Sequence, residues 1–360
     1  MLMLLLGVAA VSGPLDDRAA WTAHALEPYL SVRTGLACQA CHTNRTGGGN
    51  RTMFGNVWAQ TQLPASPGSG GIVPKEITDF LRVGFDLRTE AVGRFRESTP
   101  RTAIGLDVAQ AYIEARFLDR RLALYVDQTL GPERSFAREA FAMMEGLPGD
   151  GYVKAGKFLL PYGWRLQDDD EYVRARTGFS YFTPDQGVEV GFAPGPLQFA
   201  VALTNGAAGS TESDNGKQVT SQASLVLRML RIGASASRNQ GTGGRRDVVG
   251  GYGGVTVGPL VLLGELDLVR DVRTASTTEQ LAGYAELDVL LRRGVNAKVT
   301  YGFLDPDRSV AENQRVRMRF GLEAFPMPFL RLGAFYGLLQ DIPQATDDLD
   351  QLGIEAHIHF

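Results

Sequence analysis

A chain of 360 residues with 43 glycines and a formal charge of -4 has room for two ordinary domains, yet its few long apolar runs do not describe a pair of soluble globules. The charge is too small, and the lysines and arginines too scattered, to imply a nucleic-acid partner. No stretch approaches about 18 consecutive apolar residues, the signature of a transmembrane helix, so any membrane span must be made of strands.

Residues 1–25 read as an export signal. Met1 to Gly13 is an apolar run too short to cross a bilayer, and Ala23-His24-Ala25 offers the small-x-small pattern that precedes cleavage. Two features depart from the pattern: no basic residue precedes the apolar run, and the polar stretch before the cut is long. The mature chain is expected to begin near Leu26.

Residues 26–75 follow as a separate short segment. Cys38-Gln-Ala-Cys41-His42 contains both cysteines of the chain and one of its four histidines. C-x-x-C-H is the attachment pattern of c-type haem, in which two thiols add to the vinyl groups and the adjacent histidine ligates iron. Three rivals use the same residues. A structural zinc site needs four ligands and the chain has no second cysteine pair; a thioredoxin-type pair expects a βαβ context; a disulfide closing so short a loop stabilises little and leaves His42 unexplained. The complete motif in an exported chain points to one covalent haem c held by Cys38, Cys41 and His42. Met53 is the nearest candidate for the sixth iron ligand, with His357 and His359 as alternatives and a vacant or water-bound position as a further one. The bland reading of Met53 is packing beside Phe54 and Trp58, and of the two histidines an ordinary polar lining.

From residue 76 to 360 the pattern has period two. Val316, Met318, Phe320, Leu322 and Ala324 alternate with Arg315, Arg317, Arg319 and Glu323; Val295 to Phe303 alternate in the same way. Such segments begin near Phe80, Thr102, Arg121, Ser135, Gly151, Gly187, Leu197, Gln218, Arg231, Arg246, Leu260, Thr278, Val295, Gln314, Phe329 and Asp350. About sixteen strands, an even number, with short connections after the even strands and longer ones after the odd strands from the seventh on, match an all-β outer-membrane barrel set in lipid. A soluble sandwich or lipocalin-like barrel would have fewer strands and an apolar interior. Here Lys298, Arg315, Arg317, Arg319 and Arg331 would face the lumen, expected to be water-lined because unpaired buried charge is costly. Phe360, ending a strand whose Leu352, Ile354, Ala356 and Ile358 face lipid, looks like the terminal aromatic read by outer-membrane assembly machinery.

The connection from Tyr162 to Asp185 is about twice the usual length and carries Asp168, Asp169, Asp170, Glu171, Arg174 and Arg176. Gly156 to Gly163, "GKFLLPYG", leads into it and resembles the corresponding segment of the phosphate-selective porin superfamily. That resemblance implies a loop folded inward to narrow the pore; a solvated outer loop is the plain alternative.

Taken whole, a short segment with one C-x-x-C-H fused to such a barrel resembles the fused monohaem cytochrome-porin family. Val32 to His42 ("VRTGLACQACH") and Met53 to Gly55 ("MFG") carry the match. The resemblance implies outer-membrane electron transfer, with a periplasmic c-type cytochrome at one end and an extracellular donor or acceptor such as ferrous iron at the other. Thr43 to Arg51 departs from the iron-oxidising members, which puts the iron substrate in doubt more than the electron-transfer role. A solute porin, anion-preferring through its lumenal arginines, whose cytochrome segment docks or senses a partner, is the competing expectation. No nucleophile-base pair, phosphate loop or HExxH pattern points to a hydrolase.

Overall fold

Alternation along the chain becomes the two faces of one closed sheet. The computed structural model describes residues 28–67, 72–95, 101–131, 135–168, 170–342 and 349–360; the expected export signal, residues 1–25, lies outside them. Sixteen strands are formed: β1 (Leu81–Phe95), β2 (Arg101–Phe117), β3 (Leu122–Gly131), β4 (Phe136–Leu147), β5 (Gly151–Phe158), β6 (Asp185–Phe192), β7 (Leu197–Thr204), β8 (Lys217–Val226), β9 (Leu230–Gly241), β10 (Gly244–Val257), β11 (Leu260–Val272), β12 (Thr277–Arg292), β13 (Val295–Asp305), β14 (Gln314–Met327), β15 (Leu330–Ile342) and β16 (Leu349–His359). Each pairs with its sequence neighbours, and β16 returns to β1 antiparallel, with Leu87 opposite Ile358 and Glu90 opposite Glu355. Every strand starts within two residues of the position expected from the sequence.

Parity decides which side chains meet lipid. Phe320 and Leu322 of β14 point outward and are 44% and 50% exposed, while Arg317, Arg319 and Glu323, of the opposite parity, are buried inward. Leu352, Ile354 and Ile358 repeat the outward row on β16. With every strand paired on both sides, no backbone edge is left open to hydrocarbon, which is what permits a sheet to sit in a bilayer.

One connection differs from expectation. "NQGTGGR" was expected as a longer outer loop, but β9 and β10 stay paired until Thr242 and Gly243 turn the chain. Backbone pairing needs no apolar side chains, so a strand runs on beyond the lipid where the alternation has faded. At the other end the turns are short, as at Arg293 and Gly294, where a φ of +73° suits glycine. This short-turn end faces the periplasm in barrels of this type.

The lumen is not the water-lined pore expected from its arginines. Glu114, Asp127, Glu139, Lys154, Glu189, Thr220, Asp267, Asp288, Arg331 and Gln351, distributed around the wall, have no exposed surface. Their cost of burial is offset by pairing. Arg138 binds Asp127 at 2.5 Å, Lys154 binds Glu189 at 2.9 Å, and Arg331 bridges Glu323 and Glu355. What covers these groups is the chain itself, entering from both ends.

Candidate cofactor site inside the barrel

The N-terminal segment enters first. It holds three short helices, α1 (Pro28–Thr34), α2 (Cys38–Cys41) and α3 (Met53–Thr61). Pro28 opens α1, where its missing N–H costs nothing. Thr52 caps α3 by accepting the Gly55 amide on its hydroxyl at 3.1 Å. Short helices of this kind are marginal alone, so their stability must come from the barrel wall, and the contacts are many. Tyr29 donates to Glu323 of β14 at 2.6 Å, Arg33 to Asn296 of β13 at 2.9 Å, Thr43 to Glu114 of β2 at 2.5 Å and Asn44 to Glu139 of β4 at 2.8 Å. The Asn50 amide donates to the Tyr125 hydroxyl of β3 at 3.0 Å. Bonds to strands on opposite sides of the barrel place this segment across the lumen.

From the other end comes the long connection between β5 and β6, residues 159–184. It turns inward, as the resemblance implied, and carries a single helical turn, α4 (Tyr172–Ala175). Its charged run is not solvated: Asp168 is paired with Arg319, and Arg174 with Glu265. Asp169 lies outside the described residues. Tyr162 donates to Asp267 at 2.8 Å, and the Trp164 indole donates to the Gly264 carbonyl at 3.0 Å. The two insertions touch where Arg165 donates to the Thr46 hydroxyl at 3.2 Å. Around this junction Tyr29, Val32, Trp164, Leu166, Tyr172, Val173, Tyr252 and Tyr284 form one apolar cluster.

Between the insertions lies a cavity of about 120 Å³. Cys38, Cys41 and His42 all line it, so the three residues singled out by the motif converge on one space. Both thiols are free, and burial pushes the Cys41 thiol up from its ordinary range. Leu30, Leu36 and Leu63 supply apolar wall, Trp58 and Trp164 aromatic wall, and Arg51 and Arg165 the positive charge.

The residues present fit a haem on three counts. His42 turns Nδ1 toward the Gly49 carbonyl at 3.4 Å, an arrangement that favours the tautomer with its proton on Nδ1 and its lone pair on Nε2. Gly47 and Gly48, at φ of +97° and +83°, also line the cavity; a Cβ on Gly47 would stand 3.2 Å from the Cys38 Cβ, and one on Gly48 only 2.7 Å from the Tyr181 hydroxyl. Polar atoms of two further lining residues, Arg165 Nε and Gln167 Oε1, are buried without a hydrogen-bond partner.

Met53 is not among the lining residues. Gly55, Trp58 and Ala59 present one face of α3 to the cavity, and at about 100° per residue Met53 falls on the opposite face. His357 and His359 are not among the lining residues; they lie on β16 with ring centroids 4.9 Å apart and planes inclined by 53°, and His357 Nε2 is 2.9 Å from Asp86. The inward-loop residues Trp164, Arg165, Gln167 and Tyr181 were not singled out as cofactor residues in the sequence, because only the fold brings them to the segment that holds Cys38.

The chain matches no family model and no curated protein. Solved structures share its fold. In-vitro-folded OmpT of Vibrio cholerae superposes with a TM-score of 0.62 at 14% identity, covering 80% of this chain and 100% of that one. The anion-selective porin from Comamonas acidovorans gives 0.62 at 10% identity, covering 78% and 99%. OmpF of Salmonella typhi gives 0.61 at 11% identity, covering 78% and 97%. By its closed sixteen-strand sheet and these neighbours, the chain is a porin-like β-barrel of the outer membrane.

Proposed function

We propose that this barrel carries one covalently attached c-type haem in the cavity between its N-terminal segment and its inward loop, and that it moves electrons across the outer membrane. The observation that carries the reading is the convergence of Cys38, Cys41 and His42 on a cavity inside the lumen. Bound there, the haem would supply a one-electron iron couple. The chain's own residues do the rest. Cys38 and Cys41 tether the group, His42 offers Nε2 to the metal, and the glycine turn lets the backbone come close. Arg51 and Arg165 suit the two carboxylates of the haem edge, as charge-assisted partners do. Leu30, Trp58 and Trp164 keep water away. The apolar band of an outer-membrane barrel is about 25 Å tall, so a redox group held inside the lumen shortens the distance an electron must cover. A periplasmic c-type cytochrome would meet the short-turn end, and an extracellular donor or acceptor, iron among them, the other.

The buried wall also favours this reading over free solute passage, since the space a solute would use is occupied by two segments of the chain. Reconstitution tests it. Liposomes enclosing a reduced dye, with ferric iron outside, should show dye oxidation with the intact protein and none with Cys38→Ala. Full electron transfer by the variant, or ion conductance with no dye oxidation by the intact protein, would return the chain to the solute-porin class.

A further inference from the structure

We infer that one small monovalent anion of the halide class binds between the N-terminal segment and the barrel wall, held by Arg45 and Arg231. This site is separate from the haem and depends on no step of that reading. A second cavity, of about 30 Å³, lies where Arg45 and Thr46 meet the short-turn end of the wall, and Tyr152, Gln198, Gln222 and Arg231 are among its lining residues. Two donors on these residues have nothing to bond: Nε of Arg45 and Nε of Arg231 are buried without a hydrogen-bond partner. Their side chains are closed from solvent, with Arg231 6% exposed and the Arg45 side chain 10%. A guanidinium has only donors to offer, and a buried donor left unbonded is destabilising, most of all on a charged group. A single acceptor between the two arginines satisfies both.

Charge points to the same occupant. Arg45 is paired through its terminal nitrogens, with Glu145 at 3.1 Å and Asp150 at 2.6 Å, and neither carboxylate lines the cavity. Arg231 has no carboxylate within 4 Å among the described residues. Its terminal nitrogens meet Ser31 Oγ, Cys38 Sγ and Gln198 Oε1 instead, each at 3.3 Å. Arg138, Arg174, Arg319 and Arg331, buried on the same wall, are each paired with a carboxylate. Burying a cation without a counter-ion is costly, and an anion taken from solvent supplies the one Arg231 lacks.

Size selects the anion. One water needs roughly 10–15 Å³ of such space, so a cavity of about 30 Å³ takes a chloride or bromide ion and excludes sulfate or a phosphate ester. Gln198 receives hydrogen bonds on its oxygen from Arg231 and Ser224, which leaves its amide N–H group as a further donor for the ion. Bound there, the halide ties Arg45 of the segment to Arg231 of β9. It also steadies the guanidinium that touches Cys38, so the anion helps to set the helix that bears the thiols.

The test uses the intact protein in detergent. Proteolytic release of the N-terminal segment should need more urea in sodium chloride than in sodium gluconate at equal ionic strength, with the gain saturating as chloride rises. Crystals soaked in bromide should show one anomalous peak between Arg45 and Arg231. Gln198→Glu puts a carboxylate where Arg231 already finds an oxygen at 3.3 Å, so its midpoint in gluconate should match the native value in chloride and gain nothing from the halide. Arg231→Gln should also lose the chloride response; if that variant does not fold, Gln198→Glu decides alone. Equal native midpoints in the two salts, or a Gln198→Glu variant that still responds to chloride, overturn the inference. A bromide peak with no response in solution marks an adventitious ion only and overturns it as well.

Discussion

The hydroxyl of Tyr29 donates to Glu323 Oε2 at 2.6 Å, joining α1 to β14 across 294 positions of sequence. Both groups are buried, and Glu323 is held from its other side by Arg331. This bond is one of the points at which the N-terminal segment is fastened to the wall.

Tyr29→Phe keeps the ring and removes the donor. The loss should be about 1 kcal/mol, the usual net value of one hydrogen bond, because Asn296 still approaches the same carboxylate oxygen at 3.4 Å. The urea midpoint for proteolytic release of residues 28–67 should fall while the barrel's own unfolding stays unchanged. An unchanged release midpoint would mean that this contact does not fasten the segment.

Gly55→Ala inverts the usual rule. Replacing a helical glycine by alanine ordinarily stabilises by about 1 kcal/mol, but here the new methyl would meet the Cys41 backbone, with Cys41 Cα at 2.8 Å. Overpacking of this kind costs about 1–3 kcal/mol, and it falls on the segment that holds the thiols. On the proposed reading, haem content per barrel should drop, whereas Gly105→Ala, whose added methyl meets nothing within 4 Å, should leave it at the wild-type level.

Two substitutions on β14 should report the two faces separately. Leu322→Arg places a charge toward lipid and should cost up to about 2–4 kcal/mol, depending on depth. Arg319→Leu removes the partner of buried Asp168 and should cost about 3–5 kcal/mol, with the inward loop becoming susceptible to protease. Folding titrations into lipid vesicles, read by gel mobility, measure the first; limited proteolysis from outside measures the second.

Lys75 gives the stability a pH dependence. Its ammonium donates to Asn50 at 2.8 Å, but burial, with Arg51 nearby, brings its pKa down to about 7, against about 10.4 in an unfolded chain. Between those values the unfolded state holds more protons, so stability rises with pH across that window and is flat below it as far as this group is concerned. Release of the N-terminal segment should need more urea at pH 9 than at pH 7, and Lys75→Met should flatten the slope. An equal midpoint at both values in the native protein would contradict the assignment.

The strands were legible because lipid on one side and chain on the other impose a period of two, as Phe320 and Arg319 show. Where both faces of a hairpin meet water, as at Thr242 and Gly243, that period vanishes and the hairpin was misread as a loop. Cys38, Cys41 and His42 line one cavity because they lie within five residues of one another in sequence. The occupied lumen was not: Arg319 looked like the lining of a wet pore because its partner, Asp168, is 151 positions away and only the inward turn of the loop unites them. Met53 is close to His42 along the chain, while Gly55, Trp58 and Ala59 form the face of α3 that lines the cavity.

The backbone of Phe360 exchanges both hydrogen bonds with Phe85 on β1, while its ring lies under the Lys75 ammonium at 5.6 Å. Lys75 in turn holds Asn50 in the N-terminal segment. The join between β16 and β1 is thus also a latch on the N-terminal segment. Loosening the seam where the cylinder shuts would therefore also loosen the segment that bears the thiols.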